Sequence, residues 1–242
     1  MQTITSNDGT TIAYDQTGSG PTVILVGGAL SDRSAAGQIA ALLAPHFTVV
    51  SYDRRGRGDS GDTVPYAVER EIEDIGALIR AVGGSASLYG MSSGAVLCLR
   101  AAAHGLPVTR LALYEPPLIV DDTRPAVPAD YVPHLGELAA SGRRDEAVEY
   151  FLTNAAEVPA AMVAQMRQTP MWPGMAAIAH TLAYDGAIMG DTMSGSAEPL
   201  KQFATVTIPT LVMDGGASAE WMHHGVAALA AVLPQSERRT FA

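Results

Sequence analysis

The sequence predicts an α/β fold: a mostly parallel eight-stranded sheet flanked by helices, with a helical segment inserted before the last two strands. Three observations predict it. Apolar, β-branched runs such as Thr22-Val23-Ile24-Leu25-Val26 read as strands covered on both faces. These runs alternate with stretches of helical spacing, the rhythm of β-α-β crossovers in a parallel sheet. The alternation breaks only once, from Pro116-Pro117 to about Phe203, where prolines and helical pieces replace strands.

Taken in order, residues 2–6 and 10–17 alternate polar and apolar side chains around Asn7-Asp8-Gly9, a hairpin at the antiparallel edge. Residues 21–26 form the first fully buried strand. Residues 34–44 have helical spacing and 47–52 read as a strand. Within residues 68–82, Ile72, Ile75, Leu78, Ile79 and Val82 fall on one side of a helix. Residues 85–89 form a strand, 93–104 a helix and 110–114 a strand. After the break come a buried strand (207–214), a helix (221–233) and a last short strand (236–241). The division is therefore residues 1–117 with 204–242 as a core, and 118–203 as a helical insertion.

Composition narrows the function. At 242 residues and 48% hydrophobic, the chain can pack one core and is not disordered. With 25 acidic against 15 basic side chains, its net charge of -10 repels phosphate backbones and anionic lipid, so neither nucleic acid nor a membrane surface is expected as partner. One cysteine, Cys98, excludes an intramolecular disulfide and a cysteine zinc site. Residues 1–9 lack a basic stretch followed by an apolar one, and no apolar run reaches the roughly 18 residues of a membrane helix. A cytoplasmic protein acting on a small molecule is the expectation, with the oligomeric state left open. Neither cofactor nor metal is expected. Gly56-x-Gly58-x-x-Gly61 has dinucleotide-site spacing, but Asp62-Thr63-Val64-Pro65 follows where a helix must open, and the six histidines lack metal-ligand spacing.

The chemistry concentrates in Gly90-Met91-Ser92-Ser93-Gly94, between a strand and a helix. A serine on so tight a turn is strained and needs almost no side chain two residues to either side. The turn lifts the Ser92 hydroxyl off the carboxyl end of the sheet and aims the helix N-terminus at a developing oxyanion. Ser92 is the candidate nucleophile.

With this elbow, Gly27-Gly28-Ala29 after the first buried strand and Asp53-Arg54-Arg55-Gly56-Arg57-Gly58-Asp59-Ser60 after the next, the chain resembles the α/β-hydrolase fold family over nearly its whole length. The resemblance implies an oxyanion hole made by the N–H groups of Ala29 and Ser93, and a cap formed by residues 118–203. In the family the triad acid follows the seventh strand, where this chain has Ser218. Asp214 at that strand's end and Glu115 after the sixth strand are the two candidates. The family's histidine follows the eighth strand and precedes a closing helix. Here the sequence stops at Phe241-Ala242, so the implied histidine lies beyond residue 242. His223 and His224 read as surface residues. In the cap, Met171, Trp172 and His180 are candidate substrate-binding residues. Met162, Met166, Met175, Met189 and Met193 also crowd this stretch, with ordinary helix packing as one reading and the lining of an apolar pocket as the other.

The resulting expectation is a serine hydrolase of a small apolar ester, thioester or lactone, working through an acyl-enzyme on Ser92. A non-catalytic protein of the same fold binding a small apolar ligand under the cap is one alternative. A cofactor-free haloperoxidase or C–C hydrolase is another.

Overall fold

The computed structural model describes all residues from Met1 to Ala242. Strands β1 (Gln2–Thr5) and β2 (Thr11–Thr17) form the expected hairpin, with Ile4 opposite Ile12. From β2 the sheet continues antiparallel into β4 (Thr48–Tyr52). It then runs parallel through β3 (Thr22–Val26), β5 (Ala86–Met91), β6 (Val108–Tyr114), β7 (Thr210–Gly215) and β8 (Ser236–Phe241). The order is β1-β2-β4-β3-β5-β6-β7-β8. The crossover places β3 beside β5, so the loops after both open at one point of the carboxyl edge, a usual place for a site in open parallel sheets.

Helices α1 (Gly37–Leu43), α2 (Val68–Ala81) and α3 (Ser93–Ala103) make the early crossovers. Between β6 and β7 lie α4 (Tyr131–Ala140), α5 (Arg144–Asn154), α6 (Ala160–Met166), α7 (Trp172–Ala177) and α8 (Leu182–Met189). Helix α9 (Glu220–Val232) joins β7 to β8. The apolar stripe of α2 is buried as its spacing requires, with Ile75, Leu78 and Ile79 fully enclosed. Helix α3 is buried from Ser93 to Leu99, so small residues there let it sit close on the sheet. One hydrophobic core runs from Ile24 and Leu88 of the sheet through α3 to Leu135, Val148, Leu182 and Ile188, so the helices between β6 and β7 share the interior of the sheet.

The opposite face is covered only in part. Val23, Leu25 and Val49 are covered by α1, but beyond it β5 to β7 are open. A groove of about 700 Å³, lined by Phe47, Tyr89, Leu111, Leu211 and Met213, lies where a parallel sheet is ordinarily covered. Beside it β8 is an exposed edge strand, carrying Glu237, Arg238 and Arg239, charges that discourage edge-to-edge pairing. No helix is long and apolar enough to cross a membrane.

Candidate active site

Ser92 lies between the last residue of β5 and the first of α3, with φ 56° and ψ -127°. That conformation costs an L residue about 1–3 kcal/mol and persists only where surrounding packing enforces it. Here the packing is explicit. A Cβ on Gly94 would stand 2.6 Å from the Gly27 carbonyl oxygen, and one on Gly90 would stand 2.6 Å from the Ala95 Cα. The Ser92 N–H donates to the Tyr114 carbonyl (2.9 Å), anchoring the elbow to β6. Its hydroxyl makes no capping bond to α3. The N–H groups of the first helical turn, beginning with Ser93, have no acceptor within the helix and carry its positive end.

The loop after β3 crosses directly over this turn. A side chain at Gly28 would bring its Cβ 2.9 Å from the Ser92 Cβ, so only glycine permits the crossing. The Gly28 carbonyl accepts from Ser31 Oγ (2.8 Å) and from Arg57 Nη1. Leu30, Ser92 and Glu115, three of the four non-glycine residues with positive φ, all follow strands at this carboxyl edge. Ala29, Ser92 and Ser93 together wall a cavity of about 200 Å³. Its remaining lining is mostly apolar, from Tyr131, Phe151, Met189, Met193 and Trp221, and no lysine, arginine or histidine contributes.

The loop after β4 supports the site from below. Asp53 is fully buried and accepts the N–H groups of Arg33 (2.7 Å) and Asp59 (2.8 Å). Arg54 turns away from it to make a two-pronged bond to Glu71 (2.7 and 2.8 Å), and the guanidinium meeting Asp53 belongs to Arg33. Arg55 pairs with Asp74 in the same way (2.8 Å each).

The structure separates the two candidate acids. Glu115, at φ 48° directly after β6, reaches the loop after β7. Its Oε1 accepts from Gly215 N–H (3.1 Å) and from the hydroxyl of Ser218, the residue standing at the family's usual acid position. Asp214 faces α9 and β8: its Oδ2 accepts from His223 Nδ1 (2.9 Å) and Arg238 Nη2 (2.8 Å). Burial alone would raise the Asp214 carboxyl, but hydrogen bonds from Thr240, His223 and Arg238 hold it below the usual carboxylate range.

His223 is therefore a partner of a buried carboxylate rather than a free surface residue, which its place in an otherwise exposed-looking pair concealed. The signal available was positional: a strand-end aspartate followed by a histidine in the first turn of the next helix. His224 meets Asp121 (2.6 Å). The three insertion residues expected to touch substrate lie outside the cavity. Met171 is 68% exposed. Trp172 is buried, with its Nε1 donating to Asp145 (2.7 Å) on α5. His180 sits over Gly56 and 3.7 Å from Asp62, and burial, against the pull of Asp62, pushes its imidazole below the ordinary value. The cavity instead takes Met189 and Met193, from the methionine-rich stretch, because α7 packs on α5 while α8 packs on α3.

The sequence profile of the Alpha/beta hydrolase family matches residues 23–240. An alpha/beta hydrolase from Sphaerobacter thermophilus, known by crystal structure, is 59% identical and superposes with a TM-score of 0.93, over 99% of this chain and 91% of that one. N-formylmaleamate deformylase of Pseudomonas putida is 39% identical over 105 residues, 42% of this chain and 39% of the relative. The uncharacterized hydrolase YraK of Bacillus subtilis is 36% identical over 119 residues, 46% of this chain and 43% of the relative. The chain thus spans less than half the length of these two curated relatives.

Proposed function

The chain belongs to the alpha/beta hydrolase family, and from that premise we propose that it is a serine hydrolase of small, uncharged acyl compounds: esters, thioesters or lactones. The observation that carries the reading is Ser92, held in a strained turn beside Gly28 with its hydroxyl uncommitted at the wall of a small cavity. Ser92 Oγ attacks the acyl carbonyl, and the N–H groups of Ala29 and Ser93 hold the oxyanion. Each such donor is ordinarily worth about 10²–10³ in turnover. Water then releases the acyl group, with helices α4–α8 serving as the cap.

A serine hydroxyl needs a base to lose its proton at neutral pH. His223, His224 and His180 are set against Asp214, Asp121 and Asp62. In the family the base is a histidine that follows the eighth strand; here that strand reaches Phe241, which pairs with Gly215, whose amide donates to Glu115. Glu115 is the acid that orients that base. Its hydrogen bonds come from a hydroxyl and an amide, so its charge is free to stabilise an imidazolium.

The cavity supports the substrate class. About 200 Å³ compares with the ~150 Å³ that holds a benzene in an engineered cavity, so an acyl group of that order fits. The nearby guanidiniums of Arg54 and Arg57 are both paired with buried carboxylates, which leaves an anionic acyl group without a partner. The partial likeness to a deformylase supports hydrolytic acyl transfer as the reaction type.

The test is reaction with a fluorophosphonate followed by peptide mapping, beside turnover of short p-nitrophenyl esters. One adduct on Ser92, and turnover lost in Ser92→Ala, are expected. Turnover that survives Ser92→Ala overturns the reading, and turnover abolished by His223→Ala moves the base onto α9.

A further inference from the structure

Asp185 stands on α8, far from the sheet edge in sequence, yet only 3% of it is exposed. Three donors converge on its carboxylate. Ser93 Oγ donates to Oδ1 (2.7 Å), Arg54 Nη1 donates to the same oxygen (2.7 Å), and Arg57 Nη2 donates to Oδ2 (2.7 Å). The two guanidiniums then reach past it. Arg57 Nη1 donates to the Gly28 carbonyl, and Arg54 Nη1 to the Gly27 carbonyl (3.2 Å). One carboxylate is therefore bonded directly to the residue that opens α3 and, through two arginines, to the loop after β3.

The geometry of the peptide bond gives these contacts a catalytic meaning. The Gly28 C=O and the Ala29 N–H belong to one planar trans unit, so they point in opposite directions. Fixing the Gly28 oxygen on Arg57 fixes where the Ala29 N–H is aimed. Fixing the Ser93 side chain at the first turn of α3 restrains the other N–H. The cluster is also balanced, with Arg54 and Arg57 against Glu71 and Asp185, all buried. Burial alone would raise the Asp185 carboxyl, but Arg57 and Arg54, with the Ser93 hydroxyl, keep it below the usual range and ionised at neutral pH.

We propose that Asp185 is the positioning residue of the oxyanion hole, so that docking of α8 on the sheet edge sets the aim of both N–H donors. The proposal rests on Ser92 as nucleophile and Ala29 and Ser93 as donors. It makes the helices between β6 and β7 part of the catalytic apparatus as well as a cover: an α8 that is not docked leaves the hole unassembled.

The experiment compares the full protein with Asp185→Asn, Asp185→Glu and Ser93→Ala, counting active sites by fluorophosphonate titration. Misplacing a catalytic group by about 1 Å costs on the order of 10²-fold. Asp185→Asn is expected to lower kcat per titrated site by about that factor with KM within about twofold, and Ser93→Ala to lower it by about tenfold. Restoring the charge with Asp185→Glu is expected to recover part of the loss. A role confined to folding predicts fewer titratable sites but unchanged kcat per site, and that result overturns the proposal. Amide hydrogen exchange of residues 27–31 gives a readout independent of turnover. Faster exchange there in Asp185→Asn, or in Ser93→Ala should the first variant not fold, supports the proposal, and unchanged exchange overturns it. A wild-type protein that takes up no fluorophosphonate overturns the nucleophile assignment instead, and the exchange result still decides the role of Asp185.

Discussion

Toward β3 and β4, the Ser92 elbow is flanked by loops whose charges are buried and matched: Asp53 with Arg33, Arg54 with Glu71 and Asp185, Arg57 with Asp185. Toward β7 and β8 it is flanked by two carboxylates with different company. Glu115 accepts from a hydroxyl and an amide, and Asp214 from His223 and Arg238, beside an exposed edge strand and an open groove. The first flank is over-determined, as a strained turn requires, because every guanidinium there has at least one fully desolvated partner. The second holds both candidate acids, and the proposal for Glu115 rests on the hydrogen-bond company each of them keeps. A carboxylate already paired with Arg238 has its charge largely spent.

Exchanging the two acids is the sharpest way to break this contrast. Glu115→Gln is expected to lower kcat by about 10³–10⁴, the order seen when a triad acid becomes its amide. Asp214→Asn is expected to leave kcat within a few-fold. Equal kcat losses in the two variants, measured on the same ester, would remove the distinction between them. On the other flank, Gly28→Ala places a Cβ 2.9 Å from the Ser92 Cβ. A fall in turnover of about 10² is expected, with KM little changed, and wild-type kinetics would show that the loop can yield.

Asp214→Asn has its own signature in stability. It weakens two charge-assisted hydrogen bonds to a buried group, a loss of about 2 kcal/mol, or a melting temperature lower by roughly 4–8 °C for a chain of this size. Acid titration then sharpens the comparison. Burial opposes ionisation of both Asp185 and Asp214, yet their partners hold both carboxyls below the ordinary value. A group whose folded pKa is depressed contributes stability that is full above its unfolded pKa and is lost as pH falls through the folded one. Melting temperature should therefore be level above about pH 5 and fall below about pH 4, less steeply in Asp214→Asn. A wild-type profile level down to pH 3 would count against these ion pairs. The smallest effect belongs to Met171→Ala, at an exposed position outside the cavity, where kcat and KM are expected within about twofold of wild type.

Much of this was legible in the chain. The alternation of buried runs and helical spacing marks every strand, with ends within two residues except the start of β7, read at 207 and found at Thr210, because a parallel strand must be apolar on both faces and its crossover helix must be apolar on one. The elbow was legible because Gly90, Ser92 and Gly94 are close in sequence and their constraint is local. The cavity lining was not. Met171, Trp172 and His180 share their composition and helical context with Met189 and Met193, and only the packing of α8 on α3 and of α7 on α5 sorts inner from outer.

The sequence by itself determined the strand order's raw material, the strained serine and the glycines that permit it, since these rest on backbone sterics between near neighbours. The tertiary structure alone decided which charges meet. Ser218 reaches Glu115 across 103 residues, His223 turns onto Asp214, and Asp185 crosses 131 residues to Arg54. A carboxylate carries no local mark of its partner. Its role follows from the low-dielectric neighbourhood into which folding brings it, and that neighbourhood is assembled from elements far apart in the chain.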